Sequence, residues 1–329
     1  MKPRTAAAFA AAVLLPLLAH AEPLADKAAI WTFQDESAAV TLSPLTDRFY
    51  TNGLRLGWTS PTGAVPDVIA SLGRFLWGAG QQRVGFGLSH QIYTPANTQA
   101  NPADPFDRPY AGYLTANVSL LSDTDRSRSL LLFSAGVVGP AAGGEALQNF
   151  VHSVIGQFAD RGWGSQIPNT PAFELLAERN WRLPTGMVAG LETDILPSLA
   201  AGVGNVRDYV QLGIAVRIGE GLDSDFGAPR LRPGLSGGDA FVPTRPFAWY
   251  IFAGADGQAV AYDLLLQSTP FRSGPHVSPV WDVAELQGGV DLMTQSVRLI
   301  LEYVAQTDEF RGQAGGWHQF GSLAVSLRF

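Results

Sequence analysis

Segments of about ten residues with alternating character repeat from Ile30 to the C-terminus, and this pattern constrains the fold more than any other feature. In each segment apolar positions alternate with small or polar ones, and clusters of Gly, Pro, Asn and Asp separate the segments. A period of two predicts β-strands whose two faces meet different surroundings. The ranges predicted as strands are 29–40, 49–59, 83–93, 111–121, 129–138, 172–182, 186–196, 207–218, 246–257, 282–293, 296–306 and 318–329.

The number and length of these strands favour a closed barrel in a membrane. They are about twelve, an even number, and strands of about ten residues can cross the hydrocarbon when tilted. In residues 296–304, one face carries Val297 and Leu301 and the other carries Arg298 and Glu302. The first face suits lipid and the second suits a filled lumen. We therefore predict an all-β fold, a single-domain antiparallel transmembrane β-barrel over residues 22–329.

The first 21 residues have the layout of a secretory signal peptide. Lys2 and Arg4 precede an apolar run, and Ala19-His20-Ala21 matches an A-x-A cleavage site. A count of 0 Cys agrees with export through an oxidising compartment. No later apolar run reaches the roughly 18 residues of a transmembrane helix.

Charge and composition indicate what surrounds the chain. Charged residues make up 16% of it, whereas a soluble domain carries about a quarter. Part of the surface is therefore expected to face something other than water. The net charge of −7 argues against a nucleic-acid partner, but is compatible with an anionic lipid bridged by a divalent cation.

The C-terminal residue Phe329, preceded by alternating apolar positions, resembles the assembly signal of bacterial outer-membrane barrels, so the barrel-assembly machinery is a predicted partner. We expect a monomer in the outer membrane.

Very short turns at 184–186 and 293–295 are predicted on the periplasmic side, where short turns belong. Strand parity then places the external loops at 41–48, 94–110, 139–171, 197–206, 258–281 and 307–317. Longer periplasmic connections are predicted at 60–82, with a short helix over Pro66–Trp77, and at 219–245, which is Gly/Pro-rich and has the composition of a flexible loop.

One stretch, residues 143–156, has a helical pattern and lies in an external loop. At about 100° per residue, one side carries Leu147, Phe150, Val151, Val154 and Phe158. The other side carries Glu145, Gln148, Asn149, His152 and Gly156. A helix this short needs a surface to pack on, so we predict that its apolar side docks on the protein and its polar side faces a cleft.

From about residue 30 to the C-terminus the chain resembles the LpxR-type lipid A 3′-O-deacylases, outer-membrane barrels that hydrolyse an ester of lipid A with calcium as cofactor. The resemblance rests on four blocks in order: Asp47-Arg48-Phe49-Tyr50-Thr51-Asn52-Gly53-Leu54, Gln91-Ile92-Tyr93-Thr94-Pro95, Asp107-Arg108-Pro109-Tyr110-Ala111-Gly112-Tyr113-Leu114, and Gly136-Val137-Val138-Gly139-Pro140 followed by Gln148-Asn149-Phe150-Val151-His152.

The resemblance implies that His152 is the catalytic histidine, with Gln148 one turn earlier and Thr51 on the second strand. Gln34-Asp35 stands where the family has Asn-Asp, with Gln34 in the catalytic set and Asp35 as a Ca²⁺ ligand. Two further departures are the absence of Lys or Arg in residues 96–104, and Phe158 where an acidic residue can follow the histidine.

These residue types suit ester hydrolysis by activated water. A neutral histidine can take a proton from water near pH 7, and Ca²⁺ held by oxygen ligands can polarise the carbonyl. Strict alternation points Thr51 into the lumen and Asp35 towards lipid. A bulge, or a position above the membrane, would keep the charge of Asp35 out of the lipid. Either Asp160 or Glu145 could orient His152.

Two arginines and the function as a whole have alternative interpretations. Arg48 and Arg108 could bind phosphates of lipid A, or could pair with the adjacent Asp47 and Asp107 and order the loops. The chain could instead be a non-catalytic lipid-binding or porin-like barrel, or a barrel phospholipase. A lumen filled by side chains, without ion conductance, would exclude the porin. No Gly-x-Ser-x-Gly elbow supports a serine nucleophile.

Overall fold

A computed structural model describes residues 25–38, 48–228, 239–270 and 272–329. The predicted signal peptide and Asp47 lie outside the described residues. The strands are β1 (Ile30–Ser37), β2 (Phe49–Thr59), β3 (Gln81–Thr94), β4 (Ala111–Asp123), β5 (Ser127–Val138), β6 (Thr170–Trp181), β7 (Leu183–Val188), β8 (Leu191–Gly204), β9 (Arg207–Glu220), β10 (Phe247–Asp263), β11 (Asp282–Thr294), β12 (Val297–Gln306) and β13 (His318–Arg328). The helices are α1 (Asp67–Trp77), α2 (Gly144–Ile155) and α3 (Leu264–Gln267).

The strands close into an antiparallel barrel. Except for β6 and β7, consecutive strands pair with each other, and β13 pairs with β1 from Ile30↔Arg328 to Ser37↔Gly321. β6 pairs with β5 and β8, while β7 pairs with β8 and continues the path of β6 past Arg182. The closed ring therefore has 12 strands, which confirms the predicted architecture. Closure satisfies the backbone hydrogen bonds that an open sheet edge would leave exposed in lipid.

Three predicted boundaries are wrong, because proline and glycine within strands were interpreted as turn signals. The turn expected at 184–186 lies at Ala189-Gly190, whose φ values of 50° and 85° suit a two-residue hairpin. β8 runs to Gly204 and includes Pro197, so the loop expected at 197–206 shrinks to Asn205-Val206. β10 likewise continues to Asp263, beyond the loop start expected at 258. The helix expected over Pro66–Trp77 is confirmed as α1.

The barrel has two unlike ends, which we name by what they carry. At the terminal end, Ala29 and Phe329 exchange two backbone hydrogen bonds of 2.9 and 3.0 Å. At the loop end lie residues 95–110, 139–169, 264–281 and 307–317. The four blocks that carry the family resemblance end or begin at this loop end.

The outer face of the strands forms an apolar belt. Its side chains alternate with buried lumen positions, as in β1, where Trp31 and Phe33 are 42% and 48% exposed. Among the described residues, no helix is long and apolar enough to cross a membrane. Further exposed belt residues are Leu56, Phe86, Leu88, Val118, Phe133, Phe173, Leu175, Val203, Leu212, Ile214, Val216, Ile251, Leu286 and Leu301.

Polar side chains and a chain segment fill the lumen. The plug segment, residues 221–228 and 239–246, connects β9 to β10 and contains the buried Asp225 and Asp239. Asp225 forms ion pairs with Arg217 and Arg298, and Asp239 pairs with Arg55. These described parts are anchored inside the barrel and do not form the flexible loop that their composition indicated.

Replacing Asp225 with Ala should lower the free energy of unfolding by about 3–5 kcal/mol, since two buried arginines lose a partner. The measurement is the urea concentration at the midpoint of unfolding of the purified barrel, with heat-dependent electrophoretic mobility as the probe of the folded state. Asp125→Ala is the control, because the ion pair of Asp125 with Arg126 is 3.9 Å long and its side chains are 44% and 58% exposed. This variant should change the free energy of unfolding by less than about 0.5 kcal/mol. Equal midpoints for the two variants would contradict an anchored plug.

Candidate active site on the outer wall

Helix α2 packs against the outside of the barrel, beside β3 and β4. A Cβ added to Gly112 of β4 would lie 2.9 Å from the backbone nitrogen of Gly144, so two glycines allow backbone to meet backbone. Just before the helix, the carbonyl oxygen of Ala142 lies 2.9 Å from Nε2 of His90. His90 shares the outward face of β3 with Phe86 and Leu88. The helix therefore stands beside the wall and not over the lumen.

The predicted helix is confirmed, but its predicted orientation is wrong. Gln148 and His152 are buried, with 3% and 4% of their surface exposed. Phe150 and Val154, expected to dock on the protein, are 65% and 69% exposed. The reason is that α2 borders the same apolar surroundings as the belt. Its polar side turns to the wall, and its apolar side turns outwards.

The contacts of His152 define its tautomer. Its Nδ1 lies 2.9 Å from the carbonyl oxygen of Phe158 and 3.9 Å from a carboxylate oxygen of Asp160. A carbonyl oxygen only accepts, so Nδ1 carries the proton and donates it, and Nε2 of the neutral ring holds the lone pair. Of the two acids that the sequence left open, Asp160 is the one beside the ring, while Glu145 is exposed.

The side chain of Gln148 is held in one orientation by Trp163. Trp163 Nε1 donates a 3.2 Å hydrogen bond to Oε1 of Gln148. Because an indole nitrogen can only donate, this contact fixes which end of the amide is oxygen. The buried Nε2 then points away from the indole, and it has no hydrogen-bond partner among the described residues. Gln148 and His152, four residues apart, are neighbours on one side of α2.

An aromatic cluster holds the loop against the wall. Trp163 is 1% exposed and packs with Ile92 of β3 and with Tyr110, whose ring centroid is 4.8 Å away. Leu147 of α2 joins this cluster. Burial and the negative charge of Asp160 raise the pKa of Tyr110 above its ordinary value, so the phenol stays protonated. Its hydroxyl donates to the carbonyl of Thr98 at 3.0 Å.

Asp35 also lies on the outer wall, as strict alternation predicts. β1 pairs with β2 and β13 without a register shift, so no bulge turns Asp35 inwards. Its carboxylate accepts a 2.8 Å hydrogen bond from Nδ2 of Asn52. Asn52 is paired with Ile92, which packs on Trp163. A continuous series of contacts thus connects Asp35 to the buried side of α2.

Gln34 lies on the other side of β1, in the lumen. It is fully buried, donates to Glu36 and Ser322, and accepts from Arg55. The expectation that Gln34 belongs to the catalytic set together with the Ca²⁺ ligand Asp35 does not fit this arrangement, because adjacent strand residues point to opposite faces. Gln34 belongs instead to the network that holds the plug segment.

Thr51 occupies a bulge in β2. The pairing shifts between Tyr50 and Asn52, so Thr51 is the extra residue, and the alternation used to assign it to the lumen is interrupted there. Its hydroxyl lies 2.7 Å from that of Thr94, and the residue is buried. Its part in the site stays a prediction.

The structure gives Arg108 a loop-ordering role, but with a different partner from the one expected. It is fully buried, forms an ion pair with Glu309, and lies 4.6 Å from the centroid of Tyr93. Asp107 instead accepts from the backbone nitrogens of Ala96 and Arg108, each at 2.7 Å. The proposed phosphate contact of Arg108 does not fit a side chain with no exposed surface.

Arg48 lies at the loop end, where its guanidinium donates to the carbonyl of Gly315 at 3.3 Å. It also lies 5.3 Å from the ring centroid of Phe49. Its expected partner Asp47 is outside the described residues, so that pairing stays a prediction.

Oxygen donors for a hard cation exist on the outer wall, although they are few. Within the described ranges, no group of three or more His, Cys, Asp or Glu comes together to hold a metal. Asp35 supplies one carboxylate, and the amide oxygen of Asn52 is a neutral donor beside it. This donor chemistry fits Ca²⁺ completed by water and substrate oxygens, since Ca²⁺ takes six to eight oxygen ligands.

Sequence reasoning missed three contributors to the site. Asn52 stood within the first resemblance block without an assigned role, and its pairing with Asp35 depends on strand register. Trp163 carried no signal beyond being a tryptophan in a long loop. The Phe158 carbonyl is a backbone group, so no side-chain pattern could have indicated it.

A closed barrel with an apolar belt and a polar site on its outer wall defines an integral membrane barrel protein. The family model described as "Outer membrane protein LpxR" matches residues 6–329, and the chain belongs to this family. It is accordingly an outer-membrane protein. A search of curated proteins found no match to the chain.

The chain was compared with solved structures, of which one supports this fold. LpxR from Salmonella typhimurium superposes with a TM-score of 0.71 at 22% identity, covering 91% of this chain and 100% of that one. The beta domain of the Bordetella autotransporter Brka gives 0.43 at 9% identity, covering 93% and 99%. The translocator domain of NalP from Neisseria meningitidis gives 0.40 at 11% identity, covering 99% and 94%. The similarity to LpxR from Salmonella typhimurium supports the fold and nothing beyond the fold.

A double-mutant cycle tests the role of Arg108. Arg108→Met and Glu309→Leu should each lower the free energy of unfolding by about 3 kcal/mol, because each removes the ion-pair partner of a buried charge. The double variant should recover most of that loss. Urea unfolding in detergent micelles measures all four proteins. Additive losses would contradict the buried pair and return Arg108 to the substrate-binding candidates.

Proposed function

We propose that this protein is an outer-membrane hydrolase that removes the 3′-O-linked acyl or acyloxyacyl group of lipid A by calcium-assisted attack of water activated by His152. Membership of the LpxR family and the four resemblance blocks support this function. The observation that carries it is the buried His152, whose Nδ1–H is held by the Phe158 carbonyl so that Nε2 can act as a base.

The reaction requires one base and one stabilised oxyanion. Nε2 of His152 takes a proton from water as the water oxygen bonds to the ester carbonyl carbon. The Phe158 carbonyl and the carboxylate of Asp160 favour the resulting imidazolium. The C–O bond of the ester then breaks, and the imidazolium returns its proton to the leaving sugar oxygen, which becomes a hydroxyl. The products are a free fatty acid and the deacylated lipid.

Gln148 supplies a donor for the developing negative charge. Because Trp163 occupies its Oε1, the buried Nε2–H₂ is the end available to a carbonyl oxygen. A donor that needs no reorientation can contribute about 10²–10³ in rate.

Calcium, when bound, would polarise the ester carbonyl and neutralise lipid phosphates. Asp35 is the protein carboxylate that would hold it. Asn52 keeps the carboxylate of Asp35 in place by donating to it.

The substrate reaches the site from the bilayer. The exposed apolar side of α2, with Phe150 and Val154, continues the belt at the loop end. An acyl chain can therefore stay in apolar surroundings while its ester meets the wall. We propose that the loop end faces the outside of the cell, so that the site meets the outer leaflet, where lipid A resides.

The test is mass spectrometry of lipid A from cells that express the wild type or His152→Ala, with membranes incubated in calcium or in chelator. The wild type with calcium should lose an ester-linked acyl group, and His152→Ala should be at least about 10³-fold slower. The matched control is His276→Ala, since His276 also bonds a nearby carbonyl, at 3.0 Å, but is exposed in another loop.

Unchanged lipid A from folded, calcium-supplied wild type would refute the deacylase. Loss of the same acyl group in chelator would refute the calcium requirement while leaving the role of His152 intact. Undiminished activity of His152→Ala would refute the base.

Trp163→Phe tests the orientation of Gln148. The ring packing is largely kept, but the indole N–H is lost, so the amide can rotate. We expect kcat to fall about 10-fold with KM little changed, since the contact acts on the transition state. Trp317→Phe, at a site 47% exposed, should behave as wild type. If Trp163→Phe remained fully active while Gln148→Leu was impaired, the indole would have no positioning role.

A further inference from the structure

Helix α1 lies at the terminal end, against the outer wall and on the same side of the barrel as α2. Trp77 is 5% exposed and packs on Val84 of β3 and Leu120 of β4. These two residues alternate in step with Phe86 and Val118, which belong to the exposed belt. The helix therefore covers the last outward positions of these strands at the terminal end.

The rotation of α1 about its axis is fixed by tight packing. A Cβ added to Gly73 would lie 2.7 Å from Nε2 of the Gln82 side chain, so this turn of the helix sits directly on the wall. Gly73 and Trp77 are its buried residues, four positions apart on one side. With the wall side fixed, the directions of the other side chains follow from about 100° per residue.

Two different surfaces remain exposed on α1. Val68, Leu72 and Phe75 share one side, with Val68 and Phe75 83% and 82% exposed. Asp67 and Arg74 form a separate polar side. A helix that only capped the barrel in water would have no reason to present valine and phenylalanine at over four-fifths exposure.

We propose that α1 is an interfacial helix whose Val68, Leu72 and Phe75 insert into the hydrocarbon edge of the phospholipid leaflet at the terminal end. Trp77 joins the helix to the belt, since it packs on Val84, one outward position before Phe86 on β3, and the polar side leaves Arg74 and Asp67 at the water boundary. Eleven residues measure about 16 Å, too short to span but sufficient to lie along an interface. This inference does not depend on the hydrolase function.

Single-cysteine labelling tests the proposal, because the chain contains 0 Cys. Phe75→Cys, Arg74→Cys as the water reference and Phe86→Cys as the belt reference are each labelled with a nitroxide. The full barrel is reconstituted in phosphatidylcholine vesicles. Paramagnetic relaxation then compares collisions with membrane-soluble oxygen and with a water-soluble nickel chelate.

The label at 75 should resemble that at 86, with frequent oxygen collisions and several-fold fewer nickel collisions than at 74. If 75 were as accessible to nickel as 74, the helix would lie in water and the proposal would be overturned. Protection of 75 from both reagents, with spin–spin broadening, would mean that a second copy covers it, which also overturns the proposal.

Folding is controlled independently of the label. Each variant must show the heat-dependent electrophoretic mobility of the wild-type barrel, and Phe75→Cys should do so because the side chain is exposed. In detergent micelles lacking a flat interface, Phe75→Asp should unfold at the same urea concentration as the wild type. In vesicles it should lose stability, whereas Arg74→Asp, on the polar side, should not. Equal stability of both variants in vesicles would overturn the proposal.

Discussion

The structure depends on the closure of an antiparallel sheet in surroundings that offer no hydrogen bonds. Once β1 and β13 pair, every strand of the 12-stranded ring, with β6 and β7 counted as one interrupted strand, has two partner strands, and the backbone polar groups are satisfied within the wall. The pleat then sorts side chains to two surfaces with a period of two. This sorting separates Gln34 from Asp35, although they are adjacent in sequence, and gives one to the lumen network and the other to the outer wall.

The two helices on the outer wall share an exposed apolar side but differ in the residues that face the wall. Each has polar and apolar sides, and in both the apolar side is exposed because it meets the same surroundings as the belt. In α2 the buried wall side is polar, through Gln148 and His152, which creates the site. In α1 the wall side is Gly73 and Trp77, which simply packs. The orientation of α2 was mispredicted because docking in water was assumed, where apolar groups turn inwards.

Much of the fold could be predicted from the sequence because period-two alternation over ten residues is a strong local signal. Individual boundaries failed where Pro184, Gly186 and Pro197 stand inside strands, since a local breaker says nothing about the pairing that overrides it. The position of His152 on a helix in a long loop was also predictable. Its surroundings were not, because the Phe158 carbonyl, Trp163 and Asn52 reach the site only through tertiary packing and register.

The anchoring of the plug segment has a consequence for the order of assembly. Asp239 pairs with Arg55 on β2, whereas Asp225 pairs with Arg298 on β12, so the segment is tied to strands on both sides of the β1–β13 seam. If β1 paired with β13 first, the charged residues of the plug segment would have to enter a barrel that is already closed. We therefore expect the plug segment to enter the lumen before β1 pairs with β13, so that the barrel closes around a lumen that is already filled.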